Sequence, residues 1–194
     1  MNLVERAKKL ILQPAQEWKV IDAETQTVQG LYTQYVMILA AIPAVCGFIG
    51  LSLIGIGAFG ATYRMPMASG VAHMVVSYLL ALGSVYVLAL IIDALAPNFG
   101  GQKNFMQALK VSAFTPTAAW LAGVFSIIPS LGIICALLSL YSLYLLYVGL
   151  PILMKTPEDK TIPYIVVVII AAIVLFVVVA AIVGLTMPGP IRGF

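Results

Sequence analysis

Two ionisable side chains, His73 and Asp93, stand within long apolar stretches and are the residues best suited to chemistry. An ionisable group is costly inside a membrane, so its presence there indicates an ion or proton site, or a buried ion pair. Asp93 precedes Pro97 by four residues, near the end of its apolar stretch. We therefore favour a structural or interfacial role for Asp93, in which it reaches the lipid headgroups or pairs with Lys103 or Lys110, and a proton or cation site is the alternative.

His73 shares one helix face with Ser77 and Ser84. A polar seam of this kind usually joins membrane helices, and we favour that role over pH sensing or solute lining. No Cys, Asp or Glu lies within four residues of His73, so the sequence offers no local metal ligands. Twenty residues separate His73 from Asp93, about 30 Å along a helix, which excludes a direct proton relay.

Pro43 and Pro116 also lie inside apolar stretches. Each proline removes a backbone hydrogen bond and bends its helix, which leaves carbonyl groups without their usual donor. Ser112 and Thr115 lie beside the second bend, where we expect their hydroxyl groups to satisfy the freed backbone. We favour bends that shape helix packing, and the alternative is a set of freed carbonyls that line an ion path.

Tyr141, Tyr144 and Tyr147 recur every three residues in a later apolar stretch. A phenol hydroxyl in hydrocarbon needs a hydrogen-bond partner. We therefore expect this face to pack inward, in the core of a helix bundle. A ligand-binding surface is the alternative interpretation of the same spacing.

The sequence contains no recognisable apparatus for catalysis. It lacks a combination of serine, histidine and acid and lacks a phosphate-binding loop. Gly55, Gly57 and Gly60 have the spacing of a dinucleotide fingerprint, but a membrane span precedes them where that fingerprint needs a strand. We interpret these glycines as a flexible exit loop. We expect no enzyme activity, no cofactor and no metal.

The composition requires membrane helices to position these residues. Of 194 residues, 62% are hydrophobic and 9% are charged, and the mean hydropathy is +1.10, which excludes a water-soluble globule. Five apolar runs, each long enough to cross the hydrocarbon once, occupy about residues 31–57, 69–95, 111–128, 130–154 and 162–186. The sequence therefore predicts an all-α polytopic membrane protein, with a bundle of five transmembrane helices in a domain over residues 31–194.

Residues 1–30 form a segment that precedes the predicted membrane domain. Apolar residues recur there at helical spacing opposite basic ones, which predicts a short amphipathic helix in the headgroup layer, with Trp18 at the same interface. The charge pattern places the N-terminus in the cytoplasm and, after five crossings, the C-terminus in the periplasm. The predicted inner side carries Arg6, Lys8, Lys9, Lys19, Lys103, Lys110, Lys155 and Lys160, and the outer side carries Arg64 and Arg192.

Three short motifs resemble the bacterial branch of the Yip family: Pro14-x-x-Glu17-Trp18-x-x-Ile21-x-x-Glu24, Ser112-Ala113-Phe114-Thr115-Pro116 and Tyr144-Leu145-Leu146-Tyr147-x-Gly149-Leu150-Pro151. The resemblance covers nearly the whole chain and implies a five-span helical protein with a cytoplasmic N-terminus. For the family's eukaryotic members it implies partner binding in vesicle traffic controlled by Rab GTPases. We do not extend that role to this chain, since bacteria have no such traffic.

We therefore expect an inner-membrane protein without enzyme activity that works through protein contacts or membrane organisation. Its expected partners are the lipid bilayer and a membrane protein or a second copy of the chain, and the scattered charges do not suggest nucleic acid. A small ion or solute permease is the alternative function. The candidate functional residues are Trp18, Pro43, His73, Asp93, Ser112, Pro116 and Tyr144.

Overall fold

A computed structural model describes residues 2–58 and 61–187 of the chain. Five helical segments within these residues are long and apolar enough to cross a membrane, and they confirm the predicted all-α polytopic bundle. We call them spans one to five: Val28–Ile54, Met67–Phe99, Phe105–Ile127, Pro129–Met154 and Glu158–Gly184. The predicted periplasmic C-terminus falls on residues 188–194, outside the described residues.

Two short helices precede span one, α1 (Leu3–Leu12) and α2 (Pro14–Ala23). The Asn2 side chain caps α1 by accepting a hydrogen bond from a backbone N–H of the first turn, at 3.3 Å. Pro14 begins α2, at a position where a backbone N–H would have no acceptor within the helix, so the absence of that N–H in proline costs nothing. Both helices fold back onto the spans, and Leu10 of α1 lies in the shared core. We call α1 and α2 together the N-terminal cap.

Span one alternates between α-helical and π-helical geometry. It consists of α3 (Val28–Leu31), a π-helical turn (Tyr32–Val36), α4 (Met37–Phe48) and a second π-helical segment (Ile49–Ile54). Pro43 lies inside α4. The helix does not end at this proline, because α4 extends to Phe48 and the π-helical segment follows it directly.

Two short paired strands follow span one, in the segment that the glycine spacing predicts to be a flexible exit loop. The two strands are β1 (Ile56–Ala58) and β2 (Ala61–Tyr63), and they pair antiparallel. Gly55 ends the span with a φ of 91°, a left-handed conformation that glycine adopts without strain. Gly60 lies outside the described residues.

Spans two and five are the long regular helices of the bundle, and they pack along each other. Span two consists of α5 (Met67–Leu95) and a 3₁₀ turn (Ala96–Phe99). Span five is α10 (Glu158–Gly184), numbered by its place in the chain. The Tyr164 hydroxyl donates to the Ile92 carbonyl at 2.5 Å and joins the two spans near one end.

Span three is broken in the middle. It consists of α6 (Phe105–Phe114), α7 (Thr117–Ala122) and a 3₁₀ segment (Gly123–Ile127). Pro116 lies at the break between α6 and α7, where its φ of −76° and ψ of 7° interrupt the helix. The bend that the sequence predicted at this proline is therefore a complete break between two helices.

Span four returns from a turn that begins directly after span three. It consists of a 3₁₀ turn (Pro129–Leu131), α8 (Gly132–Ser139) and α9 (Tyr141–Met154). Lys155 ends α9 in the left-handed conformation, with a φ of 53°. Together the two halves of span three and α9 surround the core on which the N-terminal cap packs.

Candidate functional site: the N-terminal cap and the spans beneath it

Trp18 is the centre of the contact between the cap and the spans. Its side chain is fully buried, and its ring meets Phe114 edge to face with a centroid distance of 6.3 Å. A Cβ atom added to Gly149 would lie 2.4 Å from the Trp18 ring, so only glycine at that position of span four admits the indole. The prediction that Trp18 lies at the membrane interface is wrong, because the protein core encloses it.

A buried ion cluster holds the two cap helices together. Arg6 of α1 donates to a Glu17 carboxylate oxygen of α2 at 2.5 Å, and each of these side chains is only 8% exposed. The same guanidinium also contacts Glu24, directly after α2. One cation between two carboxylates satisfies charges that the surrounding apolar side chains cannot solvate.

Lys110 of span three fixes the end of α2. Its ammonium group is buried and donates to the backbone carbonyls of Ile21 at 2.9 Å and Glu24 at 2.6 Å. These carbonyls lie in the last turn of α2 and on the residue that follows it, at the helix end whose negative dipole favours a cation. The predicted pairing of Asp93 with Lys110 or Lys103 is wrong, since neither lysine forms an ion pair with Asp93 within the described part of the chain.

Asp22 makes two further polar contacts between the cap and the spans. Gln107 of span three donates to the Asp22 carboxylate at 2.9 Å and to its backbone carbonyl at 3.2 Å. Lys155, at the end of span four, forms an ion pair with the same carboxylate. On the other side of the cap, the Tyr141 hydroxyl of span four donates to the Ile11 carbonyl at 2.7 Å. The cap is thus bonded to both span three and span four.

The break at Pro116 is stabilised by span four and not by the residues that the sequence suggested. The Ser142 hydroxyl accepts a hydrogen bond from the Ala119 N–H at 3.2 Å. Ser112 donates to a carbonyl of its own helix, and the buried Thr115 hydroxyl has no partner within the described residues. The expectation that Ser112 and Thr115 satisfy the freed backbone is therefore wrong.

The first residue after the break connects span three to span one. The Tyr35 and Thr117 hydroxyls lie 2.7 Å apart, and both side chains are fully buried. The Tyr35 ring also packs on Phe114, with a centroid distance of 4.6 Å. Pro43 makes a second contact between the two spans, because a Cβ atom on Gly123 would lie 2.6 Å from the proline ring.

The two ionisable residues of span two lie at opposite ends of it. His73 Nδ1 lies 3.1 Å from the Thr186 hydroxyl, just beyond span five, so the histidine does connect two helices. Ser77 and Ser84 instead donate to carbonyls of their own helix. Asp93 is buried near the opposite end, and one of its carboxylate oxygens has no hydrogen-bond partner among the described residues.

Two of the three span-four tyrosines, Tyr144 and Tyr147, face outward, so the prediction that this face packs in the bundle core is wrong for them, whereas Tyr141 is partly buried against the core. Tyr144 is 47% exposed and Tyr147 is 53% exposed. Neither hydroxyl forms a hydrogen bond within the described residues. Tyr144 does contact the ring of Tyr141, with a centroid distance of 5.4 Å. Tyr141 alone of the three turns toward the cap.

One charged pair of the cap is solvent-exposed. Glu5 and Lys9 pair at 2.7 Å across one turn of α1. The hydrogen bond and the charge of Lys9 lower the pKa of the Glu5 carboxyl, and Glu5 raises the pKa of Lys9 in return. No group of three metal-ligating side chains occurs within the described residues. The polar contacts among the described residues of the cap and the spans join helices to one another.

The polar contacts that bind the cap could not be predicted from the sequence. Lys110 carried a partial signal, because it directly precedes the third predicted apolar run, and a lysine at the end of a membrane span requires polar groups close by. Arg6 and Glu17 carried none, since charges on a short helix usually face water. The indole pocket at Gly149 was also undetectable, because more than a hundred residues separate it from Trp18 in the sequence.

Comparison with known proteins supplies the family. Residues 8–181 match the Yip1 domain. The chain is 28% identical over 160 residues to inner membrane protein YohC of Escherichia coli strain K12, and equally to that of E. coli O6:H1. These matches cover 80% of this chain and 82% of each relative. No solved structure matches significantly. Since the Yip1 domain covers most of its length, the chain belongs to the Yip family.

Proposed function

We propose that this chain is a non-enzymatic inner-membrane protein that works through contacts with another membrane protein or a second copy of itself. The observation that carries the proposal is the outward-facing pair Tyr144 and Tyr147 on span four. By helix rise, these residues lie about 15 and 10 Å from Met154 at the end of the span, which is within a hydrocarbon layer of about 30 Å.

A phenol hydroxyl at this depth is stabilised when it bonds to another helix. Lipid chains offer it no acceptor, whereas a neighbouring membrane helix offers side-chain and carbonyl oxygens. The N-terminal cap is a poorer alternative contact surface, because Trp18 and the Arg6–Glu17 pair are already buried inside the protein. Span four is therefore the surface on which we place the partner.

Photo-crosslinking in native membranes tests the proposal. A benzophenone amino acid replaces Tyr144 or Tyr147, and the control replaces Phe176, which is exposed on span five. We expect protein adducts several-fold more abundant from the two span-four positions than from Phe176, with the captured protein identified by mass spectrometry. Lipid adducts alone at all three positions would overturn the proposal.

We propose further that the N-terminus is cytoplasmic, because eight of the ten Lys and Arg residues fall on that side in the five-span arrangement. Two exposed positions test this orientation, Lys19 in the cap and Arg64 after the two paired strands. A membrane-impermeant maleimide is applied to intact cells that carry Lys19→Cys or Arg64→Cys. We expect rapid labelling of Arg64→Cys, and labelling of Lys19→Cys only after permeabilisation. The reverse pattern contradicts the proposed orientation.

Asp93 supports a second candidate function, a small permease. A buried carboxylate oxygen without a partner among the described residues has the chemistry that a proton or cation site requires. The test is dissipation of a pH or potassium gradient in proteoliposomes, with Asp93→Asn as the variant. Leakage that disappears in Asp93→Asn favours the permease, and tight wild-type vesicles rule it out.

A further inference from the structure

The N-terminal helix α1 lies beside the middle of spans one and three. It forms one wall of an apolar groove of about 510 Å³, and Ile38 and Ile42 of span one and Leu121 of span three line the other wall. Ile38 is exposed on the outside of the bundle, so the groove opens toward lipid. Lys8 is the one charged residue of the lining.

Span one gives a first measure of the apolar height beside α1. We use this term for the distance along the bundle from α1 to the far end of the apolar surface. Arg64 marks the far end, because its side chain donates to the carbonyl of Ile54 at 3.2 Å and is exposed. Ile42 and Ile38, which face α1, precede Ile54 by 12 and 16 residues. At about 1.5 Å per residue, α1 and Arg64 are about 18–24 Å apart.

Spans three and four give a second, independent measure. Tyr141, bonded to Ile11 of α1, follows Pro129 by 12 residues, or about 18 Å of helix. The turn before Pro129 reaches the far end of the bundle, since a Cβ atom on Gly50 would lie 2.1 Å from the Ser126 carbonyl oxygen. Both measures therefore give an apolar height of about 20 Å beside α1.

The helices of spans two and five are much longer than the apolar height beside α1. The helix of span two has 29 residues and that of span five has 27, which correspond to about 44 and 40 Å. A hydrocarbon layer of about 30 Å therefore fits these spans but exceeds the height beside α1 by about 10 Å. The exposed charges of α1, on Glu5, Lys8 and Lys9, require water or lipid headgroups and not hydrocarbon.

We infer that the protein thins the bilayer on the side where α1 packs. The phospholipid headgroups of one leaflet descend there to the level of α1, and their acyl chains fill the groove beside Ile38 and Ile42. A mismatch between a short apolar surface and a thicker membrane is met by thinning of the surrounding lipid, at a modest free-energy cost per ångström. The inference is independent of whether span four binds a partner.

Spin labels at matched heights test the inference. In a background without Cys46 and Cys135, a nitroxide is placed at Leu12 of α1 or at Leu79 of span two, which is exposed. Leu79 lies at the height of the groove, because the neighbouring Tyr78 hydroxyl donates to the Met37 carbonyl at 3.1 Å. Collision rates with oxygen and with a water-soluble nickel chelate report the depth of each label in the membrane.

In vesicles of phospholipids with 18-carbon chains, we expect the Leu12 label to report the headgroup region and the Leu79 label to report hydrocarbon. The difference in depth is about 10 Å, from the measures above. It shrinks in vesicles of 14-carbon lipids, whose bulk thickness approaches the short apolar height. Equal hydrocarbon depths at both labels would overturn the inference. So would a spin-to-spin distance between α1 and span one that places α1 away from the groove.

Discussion

Span three is buried over 67% of its most apolar 18 residues, whereas span five is buried over 11% of the corresponding stretch. Span five is apolar without interruption from Tyr164 to Val183. Span three contains a lysine, a glutamine, a serine and two threonines between Phe105 and Thr117. The less apolar helix is therefore the one at the centre of the protein.

This difference follows from the surroundings of each helix. Lipid cannot satisfy a hydrogen-bonding group, so the helix that faces lipid must be apolar. Protein atoms can satisfy one, as the α2 carbonyls do for Lys110 and as Tyr35 does for Thr117. Polar residues within a membrane helix thus mark the side that faces other protein, and here they mark where the cap packs.

The largest effect is expected from breaking the buried ion cluster. Arg6→Met leaves the Glu17 carboxylate buried without its cation, which we expect to cost about 3–5 kcal/mol of unfolding free energy. Unfolding by titration with SDS in mixed micelles, followed by circular dichroism, measures the change. The matched control is Lys9→Met, which removes a cation from an exposed pair of the same helix.

If burial decides the value of these charges, Lys9→Met unfolds at the wild-type SDS fraction. Equal losses in Arg6→Met and Lys9→Met would show that the cap is no part of the buried core. The double variant Arg6→Met with Glu17→Met adds a further check, because it removes the orphaned carboxylate and recovers part of the loss.

A smaller loss is expected where the cap meets span four. Gly149→Ala places a methyl group 2.4 Å from the Trp18 ring and displaces the indole. We expect the free energy of unfolding to fall by an amount at the upper end of about 1–3 kcal/mol. Gly184→Ala in span five is the matched control, because nothing lies within 4 Å of a Cβ atom there. Trp18 fluorescence, in a Trp120→Phe background, should shift to the red only in Gly149→Ala. A blue-shifted spectrum in both variants would contradict the packing.

The five spans could be predicted because length and apolarity are enough to define a crossing. The break at Pro116 could be predicted because proline acts on its own helix. The burial of Trp18 could not, since the apolar face of a short amphipathic helix suits lipid and protein equally well. The outward direction of Tyr144 could not either, because a spacing of three shows that residues share a face and not where that face points.

Polar pairings were harder to predict than helices because they join distant parts of the chain. The sequence suggested Lys103 or Lys110 as a partner for Asp93, yet the structure directs Lys110 to the carbonyls of Ile21 and Glu24. Every residue has a backbone carbonyl, so the sequence does not show which carbonyls accept the hydrogen bonds of Lys110. Hydropathy therefore predicts where polar residues are unusual, while only the fold shows what satisfies them.

Removal of the hydrogen bond at the Pro116 break should lower the free energy of unfolding by about 1 kcal/mol. Ser142→Ala leaves the partly buried Ala119 N–H without its acceptor, at the lower end of the cost of an unsatisfied donor. Ser139→Ala is the control, because the Ser139 hydroxyl donates only to the Cys135 carbonyl one turn earlier in the same helix. SDS unfolding should separate the two variants. A Ser139→Ala loss as large as that of Ser142→Ala would remove the special role of the break.

The smallest effect is expected at the exposed Glu5–Lys9 pair, and its pH dependence distinguishes it from the buried cluster. Lys9 lowers the pKa of Glu5, so the stabilisation from Glu5 is present above the carboxyl's ordinary pKa and is lost as the pH falls through the lowered value. Glu5→Gln should therefore match the wild type in thermal midpoint at pH 7 within error, because solvent screens the pair. Any small difference should vanish once the pH lies below the lowered pKa of Glu5, where the side chain at this position is neutral in both the wild type and the variant. A midpoint drop in Glu5→Gln comparable to that of Arg6→Met would mean that α1 is stabilised by its exposed charges, and the contrast between buried and exposed surfaces would not hold for the cap.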